Sequence, residues 1–430
     1  MIYRVLTGIT TTGTPHLGNY VGAIRPAIAA SREPGVESFF FLADYHALIK
    51  CDEPARIERS RLELAATWLA AGLDPQRVVF YRQSDIPETP ELTWLLTCVA
   101  AKGQMNRAHA YKAALDANTA AGDDPDANIS MGLYSYPILM AADILLFSAN
   151  RVPVGADQRQ HIEIARDLGA RFNHLFGELL VLPEAQIDDA MALLPGLDGR
   201  KMSKSYDNVI PLFEGGAQGL KDAVARIVTD SRLPGEPKDP QGSALVTIHD
   251  AFATDAERQA FRADLRAGLG WGDAKQRLVE RIEAQIGPLR AEYQRLLAHP
   301  EEIEATLQAG AKRARAIAMP LMAQLRDAVG LKPMQAVRKP EAAALPKAAA
   351  LPLFKQYREA DGQFYFKLSA ADGSVLLVSE GFSDAREAGA WVKRLRGEGG
   401  AALAQAPIVW QASGLRADAA AALDALAAQA

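Results

Sequence analysis

The sequence predicts an α/β protein built on a doubly wound parallel sheet, followed by an all-helical domain and a small α+β module. In the first half of the chain, β-rich runs alternate with helical patterns, as in a parallel sheet with crossover helices. Residues 244–331 then show apolar side chains near helical spacing. Beyond a Pro/Ala-rich stretch at 332–352, two alternating runs flank an Asp-Gly turn, which is typical of a β-hairpin.

Composition sets limits on the class of protein. Of 430 residues, 49% are hydrophobic and 23% charged, which suits a globular chain of about three domains. The formal charge of −5 argues against a bulk attraction to nucleic acid but allows a local basic face. Cys51 and Cys98 lack the spacing of a disulfide framework, a zinc knuckle or an iron–sulfur cluster, so we expect no protein-bound metal. The start of the chain shows no secretory signal and no apolar run could span a membrane, so we expect a cytoplasmic protein.

The first strand and the turn after it form one candidate site. Tyr3 to Thr7 is β-rich, and a Gly/Thr-rich turn leads through His16 and Asn19 into a helical pattern over 21–31. Such a turn presents backbone N–H groups at a helix N-terminus, which suits an anion. Gly18 would let a charged or flat ligand approach the backbone closely. Taken alone, the segment is also an ordinary strand–helix turn.

The pentapeptide 201–205, Lys-Met-Ser-Lys-Ser, forms a second candidate site. Two lysines three positions apart, with two hydroxyls and no acid between them, make a compact group of cationic donors. Gly196 and Gly199 precede it and predict a loop. Ammonium and hydroxyl groups can follow charge as it moves onto a leaving pyrophosphate, so the loop suits a polyphosphate. Taken alone, it is equally compatible with a solvated surface.

Two more buried strands are predicted, and polar residues follow each of them. The apolar run 38–43 ends at Asp44 and His46, and a strand at 78–81 precedes Gln83. The carboxyl ends of parallel strands form the ligand-binding edge of an open sheet. His46 fits a ligand-binding role and a core position equally well.

Asp143 is the only charge in the apolar helical stretch 134–147. A buried carboxylate needs a hydrogen-bonding partner, so Asp143 is either a paired structural acid or an acceptor for a donor on a ligand. A strand at 152–154 and a glycine turn then lead to Asp157, which could meet a nucleotide ribose.

The two candidate sites together resemble the signatures of class I aminoacyl-tRNA synthetases, HIGH and KMSKS. Residues 16–19 read His-Leu-Gly-Asn, the usual form in the tryptophan and tyrosine enzymes, and residues 201–205 match throughout. The resemblance covers residues 1–331 and implies a Rossmann-like catalytic domain that uses ATP with Mg²⁺. It also implies that His16 and Asn19 contact the phosphates, and that Lys201 and Lys204 stabilise the pentavalent state and the leaving pyrophosphate.

The segments around Asp143 look like those of the tryptophan branch of this family. The resemblance implies that Asp143 accepts the indole N–H, and an acceptor left unpaired by phenylalanine would reject that amino acid. The implied tryptophan-binding residues are Asp143, Met140, Gln158, Tyr136, His46, Val152 and Val154. The implied ATP-binding residues are Thr10, Thr11, Thr12, Gly18, Asn19, Gly155, Ala156, Asp157, Lys201, Met202, Ser203, Lys204 and Ser205.

This chain departs from the family pattern at Leu6, at Thr10-Thr11 and in the segment after Lys112, and the last of these bears on ATP binding. Relatives often carry a second lysine for the triphosphate near position 112, whereas the residues after Lys112 are acidic here. The stretch 111–130 is predicted to be a polar loop, and it stays open whether 113–130 contributes to ATP binding.

The implied activity is ATP-dependent ligation of L-tryptophan to tRNA(Trp) through a tryptophanyl adenylate, with release of AMP and pyrophosphate. The family also implies a homodimer with no membrane partner. Three alternatives remain: a tyrosine-specific synthetase, an adenylyltransferase that does not use tRNA, and a non-catalytic RNA-binding or regulatory paralogue. The helical half disfavours the adenylyltransferase, and the intact pentapeptide disfavours the non-catalytic paralogue.

The predicted domains are a catalytic domain at 1–215, a helical anticodon-binding domain at 216–331, a linker at 332–352, an α+β module at 353–412 and an Ala-rich tail helix at 413–430. The resemblance implies phosphate contacts in the helical domain from Lys312, Arg313, Arg315 and Arg326. The C-terminal module resembles a small domain of unknown function. Because its linker is basic, we hypothesise that the module adds contacts to tRNA or to a partner.

Overall fold

A computed structural model describes residues 3–11, 13–155, 158–187, 194–332, 352–410, 412 and 414–428. For Thr10, Val154 and Ile187 it describes the backbone alone. The chain divides into two compact units, Met1–Lys332 and Pro333–Ala430. Most of the predicted linker, 333–351, lies outside the described residues.

A five-stranded parallel sheet forms the centre of the first unit. Its strands are β1 Tyr3–Thr10, β2 Val36–Ala43, β3 Val79–Arg82, β4 Arg151–Val154 and β5 Glu184–Ile187. They stand in the order β3-β2-β1-β4-β5, and every neighbouring pair is parallel. The strand order reverses between β1 and β4, so the predicted doubly wound sheet is confirmed.

The strands β1 and β4 separate toward their carboxyl ends. β1 pairs with β2 along its whole length, from Tyr3 to Thr10. Among the described residues, β1 pairs with β4 at the single position Val5–Arg151. The gap opens at the carboxyl edge, where ligands of open α/β sheets bind.

Helices cover both faces of this sheet. They are α1 Leu17–Asn19, α2 Arg25–Ala30, α3 Asp44–Ala47, α4 Pro54–Ala70, α5 Glu88–Val99, α6 Lys102–Met105, α7 His109–Ala121, α8 Met131–Leu146, α9 Arg159–Phe176 and α10 Gly216–Ala225, with a π-helical turn at Tyr20–Ile24 and 3₁₀ turns at Gln83–Asp85 and Lys204–Tyr206. Alternate residues of β2 enter different cores: Phe40 and Leu42 pack in one, and Phe39 and Phe41 in the other.

The predicted helical region is confirmed as four helices. They are α11 Ala244–Phe252, α12 Asp255–Arg266, α13 Trp271–Ala298 and α14 Pro300–Ala328. α14 covers the edge strand β3 at very short range, because a Cβ added at Gly310 would lie 1.7 Å from the Phe80 carbonyl oxygen. Only glycine allows this approach. The boundary predicted at 215/216 stays a prediction.

The loop predicted at 111–130 is wrong over its first part, which is helix α7, His109–Ala121. Its many alanines are the strongest helix formers, and their propensity outweighs the polar residues between them. The helix ends at Gly122, whose φ of 81° gives a left-handed cap. The polar residues mark an exposed helix surface, not an irregular chain.

The second unit contains an antiparallel sheet in the order β6-β7-β8-β9. Its elements are β6 Leu353–Arg358, β7 Phe364–Ser369, β8 Val375–Ser379, α15 Ala385–Glu398, a 3₁₀ turn Gly399–Ala404, β9 Ile408–Val409 and α16 Leu415–Ala427. The predicted hairpin is β7–β8. The tail helix α16 belongs to the module, because Ala419 and Leu423 are fully buried in its core.

None of the helices within the described residues is long and apolar enough to cross a membrane.

Candidate active site

The two signature segments lie side by side. His16 forms an antiparallel bridge with Pro211, and the Leu17 N–H donates to the Ile210 carbonyl at 2.9 Å. The first strand–helix turn is therefore joined by backbone hydrogen bonds to the chain that follows the pentapeptide.

Gly18 allows the closest contact between them. Its N–H donates to Met202 Sδ at 3.3 Å. A Cβ at Gly18 would lie 3.0 Å from the His16 imidazole and 3.4 Å from Met202 Cβ. Met202 is buried, so this residue fixes the pentapeptide against the first turn, with Lys201 before it and Lys204 after it.

A cleft of about 520 Å³ runs along this junction. It is lined by Gly8, Ile9, Gly13, Thr14, Pro15, His16, Asn19, Ala23, Ile24, Leu64, Trp68, Gln158, Ser203 and Lys204. The ammonium of Lys204 stands over Gly13, 2.9 Å from where a Cβ would be. Neutral donors from the first signature and the Lys204 ammonium from the second therefore face one space.

His16 is held as a neutral hydrogen-bond donor. Its Nδ1 accepts from the Asn19 N–H at 3.3 Å, so the ring proton is on Nε2. The Asn19 Oδ1 accepts from the His16 N–H at 3.1 Å, which completes a capping box. Burial, with the Lys204 ammonium second, lowers the pKa of His16 to about 4. At neutral pH the imidazole can donate from Nε2 without adding charge.

Lys204 is an exposed ammonium whose neighbours carry both charges. Partial desolvation lowers its pKa, Glu214 and Glu63 raise it, and Arg56 lowers it. Glu214 also accepts from the Thr14 hydroxyl at 3.0 Å, which ties it to the first turn. Lys204 therefore has charged neighbours of both signs, and a bound polyphosphate would add negative charge beside its ammonium.

Asn208, which the sequence did not indicate, supports the pentapeptide. Its Oδ1 accepts from the Ser203 N–H at 2.8 Å, and its Nδ2 donates to the Lys201 carbonyl at 3.1 Å and to Asp198 at 2.7 Å. A Cβ at Gly196 would lie 2.3 Å from its amide. Asn208 lies between Asp207 and Val209, and nothing in this local sequence pointed to a supporting role.

A second cavity of about 400 Å³ opens where β1 and β4 separate. It is lined by Leu6, Thr7, Gly8, Phe41, Ala43, His46, Ile49, Lys50, Ala110, Leu133, Tyr136, Met140, Asp143, Ile144, Val152, Pro153, Gln158 and His161. Gly8 and Gln158 line both the cavity and the cleft, so the two spaces adjoin. The cavity is mostly apolar with a few polar groups, which suits a flat ring.

Asp143 is the buried acid of this cavity, with 2% of its surface exposed. It pairs with His46 Nε2 at 3.0 Å, and Gln83 Nε2 donates to its two oxygens at 2.9 and 2.8 Å. Gln83, which sequence reasoning did not assign, also accepts from the Tyr45 N–H at 3.1 Å. Burial raises the pKa of Asp143, and the bonds from His46 and Gln83 oppose that rise. The acid is therefore paired, and it also faces a cavity, while its role as an acceptor for a ligand donor stays a prediction.

Tyr136 and His161 form a second polar pair in the cavity. The Tyr136 hydroxyl lies 2.6 Å from His161 Nε2. The Tyr136 ring also meets the His46 ring edge-on, with centroids 6.2 Å apart. This arrangement fixes the direction of the tyrosine hydroxyl inside the cavity.

Several predicted residues lie elsewhere. Lys201 and Ser205 are exposed and do not line the cleft. Thr11 is buried, and its hydroxyl donates to the Ala43 carbonyl at 3.4 Å. The Gly155 carbonyl accepts from the Gln158 N–H at 2.9 Å. Thr12, Ala156 and Asp157, together with the side chains of Thr10 and Val154, lie outside the described residues.

The basic residues of α14 have partners inside the protein. Arg313 donates to carbonyls of the turn at 75–78, and Arg315 and Arg326 form ion pairs with glutamates of α5. Lys312 is exposed and forms no ion pair with another described residue. Three of these residues thus hold α14 against the turn at 75–78 and against α5. Contact of the set with phosphates stays a prediction.

Within the described residues, no group of three or more His, Cys, Asp and Glu side chains could hold a metal ion.

Comparison with known proteins identifies the family. The model of tRNA synthetases class I (W and Y) matches residues 2–286. The chain belongs to this family. It is 63% identical over 396 residues to the tryptophan–tRNA ligase of Bordetella parapertussis. The aligned residues cover 92% of this chain and 88% of that protein. It is 61% identical over 405 residues to the tryptophan–tRNA ligase of Pseudomonas putida, covering 94% and 90%. These relatives place it among the tryptophan–tRNA ligases of the family.

A solved structure supports the same assignment. The tryptophanyl-tRNA synthetase of Campylobacter jejuni, complexed with ADP and tryptophan, is 39% identical and superposes with a TM-score of 0.71. The match covers 76% of this chain and 99% of that one. A second family model, Domain of unknown function (DUF1508), matches residues 359–402, within the C-terminal module.

Proposed function

We propose that this chain activates L-tryptophan with ATP and transfers the aminoacyl group to tRNA(Trp). The observation that carries the proposal is the pairing of two adjoining spaces. An apolar cavity holds the buried acceptor Asp143, and the neighbouring cleft holds donors from both signature segments, His16 and Lys204. A ring and a triphosphate would thus meet near Gly8 and Gln158, which line both spaces.

The first step joins the two substrates. A carboxylate oxygen of tryptophan bonds to the α-phosphorus of ATP, and the bond from that phosphorus to the bridging oxygen breaks as pyrophosphate leaves. Positioning and charge stabilisation suffice, because the substrate itself supplies the nucleophile. His16 donates from Nε2 and Asn19 from its amide to phosphate oxygens, while Lys204 follows the charge onto the pyrophosphate. We assign Lys201 the same role, although it is exposed and the support for it is the signature alone.

Magnesium enters with the nucleotide in this proposal. Mg²⁺ prefers phosphate oxygens together with water, so a bound triphosphate and water would supply its ligands. The second step leaves the carboxyl carbon bonded to the terminal ribose oxygen of tRNA, and AMP departs with the adenylate oxygen. The ribose hydroxyl proton passes to the departing phosphate or to water. A cytoplasmic homodimer remains our expectation for the assembly and its location.

Selection of tryptophan rests on Asp143. Its carboxylate is fixed by His46 and Gln83, so one lone-pair direction can accept the indole N–H while the ring fills the cavity. Phenylalanine would leave this acceptor without a ligand donor, and a site built around one hydrogen bond rejects such analogues by about 10⁴-fold. Tyr136 and Gln158 are suited to the α-amino group by their position at the cavity wall.

The test is amino-acid-dependent ATP–pyrophosphate exchange with tryptophan, tyrosine, phenylalanine and 1-methyltryptophan, which has lost the indole N–H. We expect exchange with tryptophan alone, and a loss of about 10²-fold or more for the methylated analogue. In Asp143→Ala the gap between tryptophan and its methylated analogue should close. Equal use of tyrosine would overturn the pocket assignment, and equal use of 1-methyltryptophan would remove Asp143 from selection. Charging of tRNA(Trp) in parallel separates a ligase from an adenylyltransferase.

A further inference from the structure

One face of the C-terminal sheet is covered and the other is open. Phe366 and Leu368 of β7 are fully buried in the core formed with α15 and α16. Successive side chains of a strand point to opposite faces, so Tyr365 and Lys367 lie on the other side. In the antiparallel register, Tyr357 of β6 stands directly opposite Tyr365.

The open face carries paired rows of like residues. Tyr357 and Tyr365 are opposite each other, with ring centroids 5.8 Å apart and 22° between ring planes. One pleat further along, Lys355 is opposite Lys367. Leu353, beyond Lys355, is 66% exposed. This sheet face therefore presents two half-buried aromatic rings, two ammonium groups and apolar surface together.

The lysine pair is unfavourable in the isolated protein. Like charges directly opposite each other on a sheet repel. Within the described residues, neither Lys355 nor Lys367 forms an ion pair, and the nearest aromatic partner is the Tyr357 ring, 5.8 Å from Lys367 Nζ. The row continues through Val378 to Val409, which is 54% exposed, so no acid of these strands stands beside the lysines. An anion bound there would relieve the repulsion.

The acids of this region lie at the tyrosine end. The Tyr365 hydroxyl donates to Asp361 at 2.6 Å, and both Asp361 and Glu359 contribute to raising the pKa of Tyr365, to about 12. A phosphate is therefore favoured at the lysine end and disfavoured beyond the tyrosines. The two ends of this face therefore differ: the aromatic rings lie at one end and the ammonium groups at the other.

We propose that this face binds RNA, with unpaired bases stacked on Tyr357 and Tyr365 and the adjoining phosphates held by Lys355 and Lys367. An open four-stranded sheet with aromatic side chains and adjacent cations is suited to single-stranded RNA, because every base has a ring face and every link has a charge. The inference rests on the proposed function in one respect: it takes tRNA(Trp) as the RNA.

The stacking part is tested in the full-length chain with a transcript of tRNA(Trp). Changing Tyr357→Leu and Tyr365→Leu together keeps apolar bulk but removes the rings, and we expect Kd for tRNA to rise about tenfold. The matched pair Tyr357→Phe and Tyr365→Phe keeps the rings and should bind as the wild type does. This comparison separates lost stacking from lost folding, which thermal denaturation of each variant also reports.

The charge part is tested by salt dependence. In the pair Lys355→Ala and Lys367→Ala, the slope of log K against log salt should fall by about 1.4, as for two phosphate contacts on a single strand. Arg386→Ala, an exposed cation at the start of α15, should leave the slope unchanged. ATP–pyrophosphate exchange should be unaffected in every one of these variants.

Two results would overturn the proposal. One is wild-type tRNA affinity and salt slope in both the leucine pair and the alanine pair. The other is unchanged tRNA binding with a smaller molecular mass of the leucine pair in solution, which would make the face an interface between copies of the chain. Because exchange is measured alongside, absence of exchange in the wild type would count against the proposed function and leave the RNA-binding result interpretable.

Discussion

The catalytic unit and the C-terminal module place their functional side chains in opposite ways. The active site takes residues from Leu6 to Lys204, and its central acid is 2% exposed. The open sheet face takes most of its residues from 353–378, and their side chains are half-buried or exposed. Burial lets the first region set hydrogen-bond directions and shift pKa values, whereas the second can offer surface and charge only.

The cations of the two regions show the same difference. Lys204 stands among Glu214, Glu63 and Arg56, which balance one another around a cleft. Lys355 and Lys367 stand opposite each other on neighbouring strands of one sheet face. A lysine that must follow charge through a reaction needs surroundings of both signs, while a lysine that only holds a phosphate needs an accessible position.

The largest effect should come from the cleft. Lys204→Ala removes an ammonium that faces the developing pyrophosphate, and we expect ATP–pyrophosphate exchange to fall by about 10²–10³-fold. Lys201→Ala should cost less, because Lys201 does not line the cleft. Lys221→Ala, an exposed lysine of α10, serves as the control and should keep full exchange. Near-normal exchange in Lys204→Ala would show that a lysine in the cleft matters no more for catalysis than a lysine on the surface.

An intermediate effect should appear in the pH dependence of stability. The pKa of His16 is lowered to about 4 in the folded chain, from 6.5 when unfolded. The unfolded chain therefore binds more protons between these values, and stability present above pH 6.5 is lost as the pH falls toward 4. His16→Asn keeps an N-cap acceptor but cannot titrate, so it should lose less stability on acidification.

Urea denaturation at pH 7 and pH 4.5 measures this change. His174→Asn, an exposed histidine of α9, should lose as much stability on acidification as the wild type. If His16→Asn does the same, His16 is charged in the fold and its role as a neutral donor is wrong.

The smallest effect should follow removal of the module. Residues 3–332 have their own two cores, and nearly all of the Campylobacter jejuni synthetase matches only 76% of this chain. Deleting residues from Leu351 onward should therefore leave ATP–pyrophosphate exchange unchanged and raise KM for tRNA(Trp). A loss of exchange would mean that the two regions are not independent in catalysis.

Much of the site was predictable because its signal is local. The signature segments name their own residues, and a single charge in an apolar helix marked Asp143. Gln83 and Asn208 were not predictable, since each acts through contacts with distant residues, Asp143 and the pentapeptide respectively. The loop expected at 111–130 failed for another reason: alanine helix propensity outweighed the polar residues that favoured a loop.

The sequence by itself determined the α/β class, the helical region and the residue types of the chemistry, because periodicity and turn residues act over a few positions. Only the tertiary structure decided that β1 and β4 separate to open the cavity, that α14 closes the sheet edge at Gly310, and that two tyrosines and two lysines share one sheet face. Strand order, register and close backbone approach arise from contacts between distant residues. These contacts cannot be predicted from a short stretch of sequence.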